Sequence, residues 1–234
     1  MSRKRYLVVT AGGSGTRMGS ALPKQFLELD GKAILQRTIE RFVEACPDIH
    51  VVTVLPAEHI AWWRKYCQER GFNCPQRLVK GGFTRFHSVK NALAWVPDGA
   101  VVAVHDGVRP LVSVRLLREM FGAMDAVRAL IPVTPCTDTL KVLEKEADGT
   151  LRTVDETVDR QRIFGAQTPQ LFLSEDLKAA YTQGFDTLFT DDASVAARYG
   201  IPLSYIAGER FNLKITTPDD LRLAEAILSI PGDR

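Results

Sequence analysis

No cysteine in this chain has a neighbour at the spacing that metal sites or redox pairs require. Cys46, Cys67, Cys74 and Cys136 form no C-x-x-C unit, and His50, His59, His87 and His105 are equally scattered. Neither a zinc knuckle nor a dithiol couple is indicated, and a reducing cytoplasm is the expected setting. No apolar run approaches the ~18 residues of a membrane span. Met1-Ser2-Arg3-Lys4-Arg5 leads straight into a strand-like run, not into the apolar core of a signal peptide. A surplus of one charge is missing too. The formal net charge is +2, whereas general binders of nucleic acid or membrane surfaces are strongly basic. The positive charges that matter must be local.

Two familiar phosphate loops are also absent. A G-x-G-x-x-G fingerprint begun at Gly13 would put its third glycine at Met18, and Gly19 comes one position late. The next strand-like run closes on Leu55-Pro56, where a ribose-binding acid would stand. The only Gly-Lys pair, Gly31-Lys32, precedes Ala33, which excludes a Walker A loop. The chain is neither a typical NAD enzyme nor a P-loop NTPase.

What is present is an alternation. Strand-like apolar runs recur at Leu7–Val9, Val51–Leu55, Val101–His105, Ala129–Val133, Leu203–Ile206 and Leu213–Ile215, with segments of helical period between most of them. Ile34, Leu35, Ile39, Phe42 and Val43 fall on one helical face, with Gln36, Arg37, Glu40 and Arg41 opposite. This alternation predicts an α/β domain, a Rossmann-like, mostly parallel twisted sheet with helices on both faces. At 45% apolar, residues 1–234 suffice for one such domain. Trp62, Trp63 and Trp95 read as packing residues at helical positions. Ligands of such sheets bind beyond the carboxyl ends of the strands.

At one such end the first run opens into Ala11-Gly12-Gly13-Ser14-Gly15-Thr16-Arg17-Met18, with Pro23-Lys24-Gln25 behind it. Glycines let backbone N–H groups approach a ligand with no Cβ in the way. The loop is a tight turn or a polyphosphate cradle, and Arg17 and Lys24 favour the cradle. Gly81-Gly82-Phe83-Thr84-Arg85-Phe86-His87-Ser88 is a second glycine-led turn, with Thr84 as a candidate helix cap. It reads as a βα connection or as the wall for a nucleotide base. Val101–His105 runs into Asp106-Gly107-Val108-Arg109-Pro110. Asp106 suits a Mg²⁺ ion that carries phosphates and waters of its own and needs only one or two protein carboxylates. The other use of an Asp before Gly is an Asx-turn. Arg109 reads as a nucleotide contact or as the partner of a nearby carboxylate.

From Pro132 to Gln161 the style changes. Asp138–Leu143 and Leu151–Val154 alternate around the acidic turn Glu144–Thr150, which predicts a protruding β-arm at about 135–160. A two-stranded ribbon is marginal alone in water, so the arm is expected to pack on a second subunit as a homodimer. A helix is expected from Ser174 to about Gln183, and another at Thr190-Asp191-Asp192-Ala193-Ser194. Thr217, Pro218, Asp219 and Asp220 read as N-cap, N1 and first-turn acids of the closing helix. Lys214, charged within an apolar run, faces solvent or a phosphate.

Ala11-Gly12-Gly13-x-Gly15-Thr16-Arg17-Met18 followed by Pro23-Lys24-Gln25 resembles the signature of nucleotidyltransferases that make nucleoside-diphosphate-linked alcohols and sugars. The further run comprises Gly81-Gly82 with Arg85 and Ser88, His105-Asp106-x-x-Arg109-Pro110, Asp138-Thr139-x-Lys141, Gln167-Thr168-Pro169-Gln170, Thr190–Ser194 and Asn212–Thr216. In that order, over essentially the whole chain, it resembles the 2-C-methyl-D-erythritol 4-phosphate cytidylyltransferase family of the non-mevalonate isoprenoid pathway. Ribitol-5-phosphate cytidylyltransferases share the frame, but Asp138–Lys141 and Thr190–Ser194 look closer to the methylerythritol pattern. Thr10, Gly12 and Gly107-Val108 depart from that pattern, and Phe83 stands where a polar residue often meets the base.

The resemblance implies a nucleotidyltransferase fold and transfer of CMP from CTP to 2-C-methyl-D-erythritol 4-phosphate, with Mg²⁺ held by Asp106, in a homodimer. It implies Arg17 and Lys24 as holders of the phosphates and of the five-coordinate transition state, with Lys214 opposite them. Ala11, Gly12, Gly13, Gly15, Gly82 and Ser88 would bind the nucleotide. Arg109, Thr139, Arg160 and Thr168 would meet the alcohol phosphate, some of them from the partner's arm. A non-catalytic CTP-binding module on the same frame is the rival of another class, and the retained Arg17, Lys24, Asp106 and Lys214 speak against it.

Overall fold

The computed structural model describes residues 3–13, 22–154 and 158–230. Its first half runs β1 (Arg5–Thr10), β2 (Glu28–Leu29), β3 (Lys32–Ala33), α1 (Ile34–Ala45), β4 (His50–Leu55), α2 (Ile60–Glu69), β5 (Gln76–Lys80), α3 (Arg85–Leu93), β6 (Val101–Asp106) and α4 (Val114–Ala123). The second half runs β7 (Ala129–Pro135), β8 (Leu143–Lys145), β9 (Leu151–Thr153), β10 (Phe164–Ala166), β11 (Gln170–Leu173), α5 (Ser174–Ala180), α6 (Asp192–Tyr199), β12 (Ser204–Ala207) and α7 (Pro218–Leu228).

The main sheet has the order β10-β7-β11-β6-β1-β4-β5, with β12 also paired to β7. β6, β1, β4 and β5 are parallel neighbours, and β12 runs parallel to β7. Only β10 and β11 pair antiparallel within it, so the mostly parallel sheet expected from the sequence is what forms. Side chains alternate across each strand, and both faces are covered. Leu7 and Val9 of β1 join Phe42, Trp63 and Leu117 on one side, while Val8 joins Val52, Val89, Val104, Phe172 and Val195 on the other. A smaller cluster, in which Ile34, Val108 and Leu111 meet Ile215, Ala224 and Ile227, packs α7 near the carboxyl ends of β1 and β6.

Several expectations need correction. Leu213–Ile215 is not a strand. It lies in irregular chain, and the Ile215 N–H donates to Val108 O at 2.9 Å instead of to a ladder. The arm ladder is shorter than its alternation suggested: β8 and β9 are three residues each and fully exposed, and Asp138–Val142 is outside it. Gln36 is buried on the face assigned to solvent, because its Oε1 accepts the Tyr66 hydroxyl at 2.8 Å. Trp63 is core, but Trp95 lies beyond the end of α3, 51% exposed, with the Arg77 guanidinium 4.0 Å from its ring centroid.

Candidate active site

The chain leaves the strands at one rim and stays cross-linked as it does so. Ala11 N–H donates to Val54 O at 2.9 Å, Gly107 N–H to Thr10 O at 2.9 Å and Gly81 N–H to Leu55 O at 2.8 Å. Gln25, almost wholly buried, donates through Nε2 to Ala11 O at 2.7 Å and Gly13 O at 3.2 Å. It thereby pins the described start of the glycine loop to the turn that carries Lys24. Between these segments lies a cleft of about 320 Å³ lined by Thr10–Gly13, Lys24, Gln25, Gly82–Arg85, Ser88, Asp106, Val108 and Lys214.

One wall is the turn into α3. Thr84 caps this helix, its hydroxyl accepting the His87 N–H, and the Ser88 hydroxyl accepts the Gly82 N–H at 3.0 Å. A Cβ on Gly82 would come within 2.4 Å of His87 Cβ and 2.9 Å of its carbonyl carbon, so the turn closes only around glycine. Gly82→Ala is therefore expected to lose about 1–3 kcal/mol of stability through overpacking. Gly13→Ala, whose Cβ would meet nothing within 4 Å, should stay within about 0.5 kcal/mol of wild type. Urea unfolding of the two variants checks the contrast, and equal losses would refute it.

Opposite stands Asp106, the last residue of β6. Its N–H donates to the Thr168 hydroxyl at 3.1 Å. Lys214 Nζ lies 3.0 Å and Arg109 Nε 3.3 Å from its Oδ2, and Arg85 Nε lies 3.8 Å from Oδ1. Burial alone would raise this carboxyl, but Arg85, Lys214 and Arg109 outweigh it and hold the group well below the usual carboxylate range. Asp106 is ionised.

Two of the three cations are fixed from behind. Arg85 bonds Asp192 at 2.5 Å, and the wholly buried Asp192 also accepts the Tyr181 hydroxyl at 2.6 Å. Arg109 donates to Asn212 O at 2.7 Å, and Asn212 Nδ2 in turn donates to Thr168 O at 2.8 Å. Lys214 differs, because its side chain remains 45% exposed on the cleft side. Lys24 completes the set from the turn before β2. Its charge reaches Asp220 at the start of α7, where burial raises the carboxyl but the Thr217 and Thr216 N–H groups, the Thr217 hydroxyl and Lys24 lower it. Thr217 is the expected N-cap, with Pro218 at N1, and it also closes a capping box with Asp220.

His105 precedes Asp106 but does not line the cleft. It is wholly buried, packed edge-on against Phe42, with Nε2 3.1 Å from Arg109 O. A carbonyl can only accept, so Nε2 carries the proton. Burial pushes the imidazole down to about 4, and Nδ1 has no partner among the described residues. The hydrogen bond from Nε2 to Arg109 O closes the turn that follows Asp106.

Ala11, Gly12, Gly13, Lys24, Gly82, Ser88, Asp106 and Lys214 thus share one cleft, as the sequence suggested. Arg17 and Gly15 lie outside the described residues. Arg109 and Thr168 stand just behind this lining. Both are turned against Asp106 from behind, Thr168 nearly wholly buried. Thr139 and Arg160 are exposed at the base of the arm, outside this cleft, with Arg160 donating to Thr137 O at 3.0 Å. Sequence reasoning gave no role to Gln25, Asp192, Tyr181 or Asn212. For Gln25, Asp192 and Asn212 the signal was a polar residue inside a quoted motif, and Tyr181 carried none. Among the described residues no group of three or more His, Cys, Asp or Glu side chains could hold a metal. Asp106 alone therefore fits only an ion that brings most of its ligands along, as nucleotide-bound Mg²⁺ does.

A larger groove of about 850 Å³ opens between β7, β12 and α6. Its walls are mainly Ile131, Val133, Phe164, Leu203 and Tyr205, and it brings together none of the cations above. The charged cleft, not the larger groove, has the means for phosphate chemistry.

The comparisons with known proteins agree. Residues 6–230 match the family model IspD, 2-C-methyl-D-erythritol 4-phosphate cytidylyltransferase. The chain is 44% identical over 224 residues to the 2-C-methyl-D-erythritol 4-phosphate cytidylyltransferase of Bacteroides fragilis, covering 96% of this chain and 99% of that one. It is 44% identical over 231 residues to that of Porphyromonas gingivalis, covering 98% and 100%. Among solved structures, 4-diphosphocytidyl-2C-methyl-D-erythritol synthase from Anaerococcus prevotii superposes with a TM-score of 0.79 at 26% identity, covering 98% of this chain and 100% of that one. The cytidylyltransferase of Thermus thermophilus gives 0.72 at 30% identity, with the same coverage.

Proposed function

Because this chain belongs to the 2-C-methyl-D-erythritol 4-phosphate cytidylyltransferase family, we propose that its cleft transfers CMP from CTP to 2-C-methyl-D-erythritol 4-phosphate. A phosphate oxygen of the alcohol attacks the α-phosphorus, the bond to the β-phosphate breaks, and pyrophosphate leaves with that electron pair. The products are 4-diphosphocytidyl-2-C-methyl-D-erythritol and pyrophosphate. The nucleophile is already an anion, so no general base is required, in keeping with a neutral His105 whose proton is committed. What must be overcome is the repulsion between two anions and the charge that develops at phosphorus. Positioned cations supply that through alignment and preorganised electrostatics. The single observation that carries the reading is the meeting of Lys24, Lys214 and Asp106 in one cleft beside the glycine-bearing chain.

In this reading Lys24 and Lys214 flank the α-phosphate, and the Gly82–Ser88 turn faces the base. Mg²⁺, held by Asp106, would polarise the phosphates and steady the leaving pyrophosphate. The test is pyrophosphate release from CTP with methylerythritol phosphate against ribitol 5-phosphate. Faster release with the methylerythritol compound supports the assignment, and preference for ribitol phosphate reassigns the acceptor. Binding of CTP without any release would make the protein a nucleotide sensor.

The second substrate needs groups that this cleft lacks, and the arm carries them. We propose that the arm embraces a second copy, so that Thr139 and Arg160 of one protomer serve the cleft of the other. Leu143, Leu151, Phe164 and Tyr205 are all exposed on the arm and on nearby β10 and β12, as a covered face would be. Sedimentation at micromolar concentration should show a dimer, and Leu151→Glu should shift it toward monomer because a carboxylate resists desolvation. A monomeric wild type would remove the arm's role. Arg160→Met is expected to raise KM for the alcohol phosphate about tenfold, the effect of losing one charge-assisted contact, with KM for CTP little changed. Equal effects on both would reject the assignment. A cytoplasmic setting agrees with four unpaired cysteines and with the lack, among the described residues, of a helix long and apolar enough to cross a membrane.

A further inference from the structure

We propose that Asp106 doubles as an internal stand-in for substrate phosphate, holding Lys214 in the ligand-free protein until a triphosphate takes that cation over. The proposal rests on the reading of this cleft as the triphosphate site. Three observations carry it. Asp106 is one carboxylate facing three cations, at 3.0, 3.3 and 3.8 Å, so its oxygens are already engaged. Two of those cations are tied elsewhere, Arg85 to Asp192 and Arg109 to Asn212 O. Lys214 alone of the three keeps its side chain nearly half exposed, and it lines the cleft. A lysine ammonium is a compact charge on a flexible stem and can exchange partners by stem rotation, whereas an anchored guanidinium fork cannot.

The exchange sets an order. Before nucleotide arrives, a bare divalent cation approaching Asp106 meets three positive charges at contact distance and is repelled. Phosphates entering beside Lys24 reverse the local sign and draw Lys214 from Oδ2. That oxygen then keeps Arg109 alone, at 3.3 Å, and the lone pair that Lys214 held is open to the ion that the nucleotide carries. Asp106 therefore opposes metal-free nucleotide and favours the metal-bearing form, which makes the carboxylate a selector between the two.

The test is CTP binding in EDTA, measured by calorimetry on wild type, Asp106→Asn, Lys214→Met and the double variant. Asp106→Asn should bind metal-free CTP roughly tenfold tighter than wild type, as when one charge-assisted hydrogen bond no longer has to be broken. The gain should vanish in the Lys214→Met background, because the cycle isolates that pair. Binding that is equal or weaker in Asp106→Asn overturns the proposal, as does a gain that survives Lys214→Met. Should Asp106→Asn not fold, wild type supplies the measurement. Metal-free CTP is expected to move the ¹⁵Nζ resonance of Lys214 while the ¹⁵Nε resonance of Arg109 stays, and an unmoved Lys214 signal overturns the exchange. If wild type binds no CTP even with Mg²⁺, the nucleotide reading itself has failed, a result separate from all of these.

Discussion

Lys24→Ala is expected to reduce turnover at least ~100-fold with the fold intact, the usual cost of deleting one preorganised electrostatic group. Lys24 lines the same cleft as Asp106 and Lys214. The turn that carries it is anchored by its neighbours. Gln25 is bonded to the glycine loop, and Phe26 is buried beneath the rings of Trp62 and Trp63. Truncating the lysine therefore leaves its support standing. The loss should fall on kcat more than on KM for CTP, since the charge that builds around the α-phosphorus in the transition state exceeds that of the ground state. Thermal unfolding should be close to wild type. Near-wild-type kcat would remove Lys24 from the reaction.

The largest expected effect on stability lies behind the cleft. Asp192→Ala leaves Arg85 only its longer contact with Asp106, at 3.8 Å, and deprives the Tyr181 hydroxyl of its acceptor. Breaking a buried ion pair by removing one partner costs about 3–5 kcal/mol, because the surviving charge is left uncompensated. Arg85 keeps 31% of its side chain exposed to the cleft, so part of its hydration survives and the lower end of that range applies. For a chain of this size the midpoint of thermal unfolding should drop by about 10 °C. Asp192→Asn, which keeps one oxygen to accept from Arg85 while its amide N–H can donate to the Tyr181 oxygen, should lose less. A Tm for Asp192→Ala within a degree or two of wild type would show that the pair is solvated and not structural.

These two residues mark what was legible in the sequence. Lys24 could be found because a cation beside a glycine loop has a chemical meaning that needs no tertiary knowledge. The central strands could be found for a similar reason: Val101–Val104 is apolar throughout, as only a strand covered on both faces can be. Asp192 could not, since its partner Arg85 is 107 positions away and the motif around it reads equally well as a helix start, which it also is. β5 escaped because it is an edge strand whose Gln76, Arg77 and Lys80 dilute the apolar signal. Leu213–Ile215 misled in the opposite direction. Its apolar residues are buried against α7 and Val108, and burial without a ladder leaves the same imprint on a short run as burial within one.

The antiparallel strand β11 has a mechanical consequence. It enters the sheet between β6 and β7 directly after Thr168, whose hydroxyl takes the Asp106 N–H. The stretch just before it, Phe164–Ala166, is β10, and this leads back to Arg160 at the root of the arm. The nine residues from Arg160 to Thr168 therefore join the root of the arm to the backbone of Asp106. Through the Thr168 hydroxyl, the strand pair that roots the arm is thus also the support on which the Asp106 backbone rests.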